Sequence, residues 1–154
     1  MFSKKTISRI CSVLFSMVFM LAVTPPQAAY AMGVRYAKPA TSGTGDCSSW
    51  ANACILQTAL TGALDGDEIW VAAGTYKPTT GTERTATFQL KNGVALYGGF
   101  AGTETARTQR APTLNVTTLS GDLNGNDVGF TNNSENVYHV VTGARPARPW
   151  TASL

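Results

Sequence analysis

The apolar and polar positions sort the chain into one helical stretch followed by short β-rich runs. Residues 49–64 read SWANACILQTALTGAL, with Ile55, Ala59 and Ala63 spaced by four, and Leu56, Leu60 and Leu64 spaced likewise. That spacing predicts an amphipathic helix over 49–64, N-capped by Ser48 or Ser49 and ended by Asp65-Gly66-Asp67. Before it, residues 32–48 form a Gly/Ser/Thr-rich lead-in with an extended start at Val34-Arg35-Tyr36. After it come runs of β-formers at 68–73, 86–90, 94–97, 115–120 and 136–141, separated by Gly- and Asn-rich turns.

The centres of four of these runs recur at a near-constant interval. Ile69 to Val94 is 25 residues, Val94 to Thr118 is 24 and Thr118 to Tyr138 is 20. No helical pattern lies between them, so crossovers of the βαβ type are excluded. A meander sandwich would turn every 8–12 residues or so. A recurrence near this length with short strands signals a solenoid. The expectation is a mainly β fold: a right-handed parallel β-helix, about three to four rungs within this chain. Candidate inward residues are Ile69, Val71, Val94, Leu96, Val116, Leu119, Val137 and Val140. The helix at 49–64 would roof the N-terminal end, where strand edges otherwise invite pairing with other chains.

The first residues change the picture from fold to address. Lys4, Lys5 and Arg9 precede an apolar run over 10–23, and Ala29-Tyr30-Ala31 follows two prolines. This is the layout of a secretory signal over 1–31, with cleavage after Ala31 and Ala29 as the other small residue of the site. Fourteen residues make about 21 Å of helix, short of the roughly 30 Å hydrocarbon core, so a permanent anchor is the weaker reading. The mature chain is therefore expected to be secreted or carried on a bacterial cell surface or outer membrane, with no transmembrane helix once the signal is removed. Without residues 1–31, nine cations face nine acids, and the formal charge of +3 for the 154 residues falls to zero. Binding nucleic acid by phosphate neutralisation needs a basic surplus, so that class is excluded.

Export also sets the reading of the cysteines. Cys47 and Cys54 remain as a pair in an oxidising place and are expected to form a disulfide. Two thiols seven apart, with His139 the sole histidine, do not make a four-ligand zinc site, so zinc is the weaker reading; two free thiols are the alternative if the compartment is not oxidising.

The helix stripe at 56–60 and the segment Gly66-Asp67-Glu68-Ile69-Trp70-Val71-Ala72-Ala73-Gly74-Thr75-Tyr76 resemble the opening of pectin-lyase-like right-handed β-helix proteins. Lys91-Asn92-Gly93-Val94-Ala95-Leu96-Tyr97-Gly98-Gly99-Phe100 and Leu119-Ser120-Gly121-Asp122 are similar to pieces of secreted bacterial surface proteins of that group. The members include polymorphic outer-membrane proteins, adhesins and pectate lyases. The resemblance spans roughly 34–143 and speaks to fold more than activity, because one fold carries many functions. Its lyases use Ca²⁺ held by acids and a basic residue that removes an α-proton. No matching cluster can be aligned here.

The end of the chain breaks the pattern. Residues 144–154 read ARPARPWTASL, with two Pro, two Arg and no alternation. Suitable codons for 146–154, read one frame over, spell G-A-T-V-D-G-F-T, which has the look of another rung. The expectation is a frameshifted or fragmentary end to a longer protein. Residues 49–143 then hold the capping helix and the rungs.

Candidate chemistry is sparse. Asp122, Asn124, Asn126 and Asp127 place oxygen ligands near-alternately in one turn, as Ca²⁺ favours. An EF-hand loop needs Gly at its sixth position and Glu at its twelfth, where Asp127 and Asn133 stand, so a polar turn without metal is the plainer reading. No other cofactor is implied. Trp50, Trp70, Tyr76, Tyr97 and Phe100 could stack on sugar rings or simply fill the cap. Lys91, Arg84, Arg107 and Arg110 read as solvated charges, and no catalytic residue is assigned. The leading expectation is an exported, non-catalytic surface scaffold of the adhesin kind, whose partner would be a carbohydrate or another ligand at a host or cell surface. The alternative is the first part of a polysaccharide lyase or hydrolase acting on acidic polysaccharide, its active site on later rungs.

Overall fold

A computed structural model describes residues 32–143. The expected signal segment 1–31, its cleavage residues Ala29 and Ala31, and the tail 144–154 lie outside the described residues.

The described chain is mainly strand. In order it runs β1 (Val34–Ala37), α1 (Leu56–Gly62), β2 (Glu68–Ala72), β3 (Gly74–Tyr76), β4 (Phe88–Gln89), β5 (Ala95–Phe100), a 3₁₀ turn (Arg107–Gln109), β6 (Thr117–Leu119) and β7 (Val141–Thr142). The strands form three sheets, ordered β1-β2-β5, β3-β6 and β4-β7. Every strand pairing is parallel: Val34 lies opposite Glu68, Ile69 opposite Leu96, Thr75 opposite Thr118 and Phe88 opposite Val141. The register between β2 and β5 shifts between Trp70 and Ala72, so that Ala72 faces Phe100.

The partners differ from those that the even spacing suggested. β6 stacks on β3 rather than on β5, and β7 on β4 rather than on β6. The strands β2-β3-β4 are followed by β5-β6-β7 in the same order, each on its counterpart. The 20–25-residue recurrence therefore mixes steps within one turn of chain with steps between turns, and fewer turns fit into 32–143.

Side chains explain the three-sided arrangement. Ile69 and Val71 of β2, Tyr76 of β3 and Phe88 of β4 converge on one buried core, joined by Leu56, Ala59 and Leu60 of α1. Leu90, just past β4, and Val94, Leu96, Leu119 and Val140 of the following turn of chain pack against it. Strand alternation sends Trp70 and Ala72 to the other face of the sheet, where they meet Trp50 and Phe100 in a second cluster, with Val34, Tyr36 and Tyr97 beside it. Val116 is not an inward residue. It is 59% exposed, because Leu119 faces the core and a strand of period two cannot put two positions three apart on one face.

The helix is shorter than expected, seven residues instead of sixteen, and starts after Ile55, which offers no side-chain cap. Ser48 and Ser49 do not cap it. Tertiary bonding takes residues 47–54 away from the helix: Cys54 bridges to Ala37 in parallel, and the Cys47–Cys54 disulfide closes the segment. Ile55 and Leu64, at the ends of the two stripes, are left exposed.

The run at 136–141 pairs only at its end. Val137 N–H donates to the carbonyl of Gly121 (3.0 Å) and Tyr138 N–H to that of Arg84 (2.9 Å), so these amides serve loops instead of a ladder. Gly74, directly after the β-rich run at 68–73, opens β3. Its φ of 141° is open to glycine, and a Cβ there would lie 2.4 Å from Pro39 Cγ. Among the described residues no helix is long and apolar enough to cross a membrane.

Candidate functional site

The polar turn after β6 is where the structure gathers carboxylates. Ser120 Oγ accepts the Asp122 N–H (3.2 Å) and fixes the start of the turn. One Asp122 oxygen accepts the Gly125 N–H and the other the Asp127 N–H at 3.1 Å. Gly125 stands at φ 75°, a conformation that suits glycine at the tip. Burial works against the charge on Asp122, but these N–H bonds and the nearby Lys77 outweigh it and hold the carboxyl below its ordinary value.

The turn then doubles back. Asp127 Oδ2 accepts Asn136 Nδ2 at 2.6 Å, and Asn132 Nδ2 donates to the Asn126 carbonyl at 3.2 Å. Asn132 itself has a φ of 61°. The result brings Glu135 to the pair, and one oxygen from each of Asp122, Asp127 and Glu135 lies within 4.8 Å of the others. Glu135 Oε1 and Asn136 Oδ1 are shielded from solvent without a hydrogen-bond partner. Hard oxygen donors at this spacing suit Ca²⁺. Of the four residues that the sequence pattern nominated, Asp122 and Asp127 face one another. Asn126 bonds through its carbonyl, and Asn124 is exposed at the tip. Glu135 and Asn136 were not visible from the motif, because the fold-back that delivers them depends on Asn132 and Asp127 rather than on spacing from Asp122.

Cys47 and Cys54 are joined, with Cα atoms 4.8 Å apart, as the sequence led one to expect. The clip presents Trp50 edge-on to Tyr36, with ring centroids 4.9 Å apart, and Trp50 Nε1 donates to the Glu104 carbonyl at 2.9 Å. Trp70 and Phe100 stack 4.9 Å apart at 8°. These rings are buried against each other, so they fill a core and offer no flat platform. Tyr76 lies in the inner core, its hydroxyl donating to the Ala72 carbonyl at 2.9 Å, and burial pushes its phenol well above the ordinary value.

Tyr97 is the more open ring of the group. Arg107 and Arg110 lie 4.8 and 5.4 Å from its centroid, and Arg107 also pairs with Glu68. Arg84 rests 4.6 Å above Tyr138 and donates from Nε to the Asn136 carbonyl at 2.7 Å. Lys91 Nζ donates to the carbonyl of Ala63 at 3.0 Å, at the end of α1. His139 is exposed. A groove of about 430 Å³ runs between Ile55, Pro39, Gln57, Thr79, Lys77 and Leu123. Its one ammonium, on Lys77, donates to the Leu123 carbonyl at 2.9 Å. No family model matches this chain, and neither a curated protein nor a solved structure does.

Proposed function

We propose that the chain is an exported, non-catalytic surface scaffold of the adhesin kind, built as a right-handed parallel β-helix related to the pectin-lyase-like group. In this reading β2-β3-β4 is one coil, β5-β6-β7 the next, and β1 the remnant of the first. The observation that carries it is the repeated order of the three strands, each parallel to its counterpart one coil earlier. Parallel connections in one sheet are right-handed in nearly every known case, which supplies the hand. The side chains that meet inside the three sheets are what such a coil must bury, since one coil alone cannot cover its apolar face.

The scaffold reading also accounts for the polar residues. Arg84, Arg107 and Lys91 are engaged in holding loops and the end of α1. The Asp122–Asp127–Glu135 cluster sits on a connection between two strands, where a bound Ca²⁺ would act as a clasp. The partner in this reading is a carbohydrate or a protein at a host or neighbouring cell surface, met by the exposed loops.

The test uses the full chain with its leader in a two-membrane bacterium. Fractionation should find it outside the inner membrane, with Cys47 and Cys54 oxidised. Incubation with polygalacturonate, with and without Ca²⁺, should give no unsaturated uronate absorbance. A Ca²⁺-dependent absorbance rise, or retention in the cytoplasm, would overturn the reading; the first result would favour a polysaccharide lyase.

A further inference from the structure

β1 is an end strand of its sheet, and an end strand exposes unpaired N–H and C=O groups unless something covers them. The cover here is not α1. That helix packs its Leu56, Ala59 and Leu60 side chains on the core, and its reach to β1 is a side-chain bond from Arg35 Nη2 to the Gly62 carbonyl. The main-chain groups of Tyr36 on β1, and the N–H of Lys38 just past it, are taken up instead by the two half-cystines. Tyr36 N–H donates to Cys47 O (3.0 Å), Cys54 N–H to Tyr36 O (3.1 Å) and Lys38 N–H to Cys54 O (2.9 Å). Both ends of the disulfide thus grip one strand edge. Between them the chain folds back on itself, with Cys47 N–H donating to Asn52 O at 2.9 Å.

Cys47 holds a φ of 66°, a left-handed conformation that disfavours any residue with a side chain. The crosslink keeps it there by removing the alternatives open to a free loop. We infer that the Cys47–Cys54 disulfide is a redox-dependent latch on the edge of β1, closed when oxidised and open when reduced. Opening is a two-electron step. A dithiol reductant gives up two electrons and becomes a disulfide, while the two sulfurs each take a proton and become thiols. The freed 47–54 segment then releases the amides of Tyr36 and Lys38, and the β2–β5 ladder stays closed. The latch would set only after export to an oxidising compartment, so an edge prone to pairing is covered where the chain works.

Native-state amide hydrogen exchange on the full chain tests this. Both half-cystines are buried, so the Cys47→Ser/Cys54→Ser double variant is compared with wild type, and dithiol-reduced wild type serves as the second preparation. The expected result is exchange at Tyr36 and Lys38 faster by about tenfold or more in both, with protection across β2 and β5 unchanged. Trp50→Phe, with the disulfide intact, should leave Tyr36 and Lys38 protected. Unchanged exchange at the two amides overturns the latch. So does equal loss of protection in β2 and β5, which would make the disulfide a staple for the whole fold. Opening by Trp50→Phe alone would assign the cover to ring packing and overturn it as well.

Discussion

Gly33 and Asp67, far apart in sequence, are joined by a 3.0 Å hydrogen bond from the Gly33 N–H to Asp67 Oδ1. The other oxygen of the same carboxylate accepts the Leu64 N–H at 2.9 Å, and Arg35 Nε lies 3.6 Å from it. One side chain thereby ties the entry to β1, the segment leaving α1 and the start of β2. Asp67 is the buried polar residue of this region, 7% exposed, so its removal leaves two part-buried N–H groups without their carboxylate partner. Each such orphan costs on the order of 1–3 kcal/mol. Asp67→Ala is expected to lower the unfolding free energy by about 2–4 kcal/mol in urea melts. A loss under about 0.5 kcal/mol, the range of ordinary surface substitutions, would refute the tie.

Acid should loosen the same region. Burial opposes the charge on Asp67, yet the Leu64 and Gly33 N–H groups with Arg35 hold its carboxyl below the ordinary value. At Glu104 burial is likewise outweighed, by the N–H groups of Ala101, Thr103 and Gly102 among others. A carboxyl whose folded value is depressed adds stability above its unfolded value, near pH 4, and that stability is lost as pH falls through the folded value. Melting temperature should therefore be flat from pH 7 to about 5 and fall below about 4. Asp67→Asn should flatten the acid limb. An unaltered limb in that variant would remove Asp67 from the account.

The second cluster, on the outer face of β1-β2-β5, should matter as much as the inner one. Phe100 is wholly buried and stacks on Trp70, with Trp50 tilted 5.7 Å away. Phe100→Ala leaves a ring-sized hole between two indoles and should cost about 3–5 kcal/mol. Phe100→Leu should cost less than half of that. Thermal melts that rank the two variants equally would mean that the cluster relaxes around the gap.

Parts of this molecule were legible in the residues alone and parts were not. β2 and β5 stood out because Ile69-Trp70-Val71 and Leu96-Tyr97 are β-formers that tertiary packing also favours. β3 was hidden by Gly74, which reads as a stop when only local propensity is weighed. The helix was overdrawn because the apolar stripes that start at Ile55 and Leu56 say nothing of 49–54, which the disulfide and the Ala37–Cys54 bridge hold in a folded-back turn. Even spacing gave strand positions but not partners, since a step along one turn of chain and a step to the next are similar in length. In the candidate cation site, Asp122 and Asp127 were visible as a motif, whereas Glu135 arrives through a fold-back that no local pattern encodes.

That fold-back makes a Ca²⁺ prediction possible. One carboxylate oxygen of Glu135 is shielded and unpartnered, and one oxygen from each of Asp122, Asp127 and Glu135 lies within 4.8 Å of the others. Three carboxylates this close repel one another, and a divalent cation among them would relieve the repulsion. An exposed site with few ligands belongs with the weak extracellular class, Kd about 10⁻⁴ to 10⁻³ M. If binding is confined to the folded state, 10 mM Ca²⁺ at a Kd of about 1 mM adds about 1.4 kcal/mol. Ca²⁺ should therefore raise the melting temperature, a chelator should reverse the rise, and Glu135→Gln should abolish most of it. Amides in 122–136 should gain protection together. An equal rise from Mg²⁺ or from NaCl at matched ionic strength would reduce the effect to screening of like charges and leave the cluster a plain polar turn.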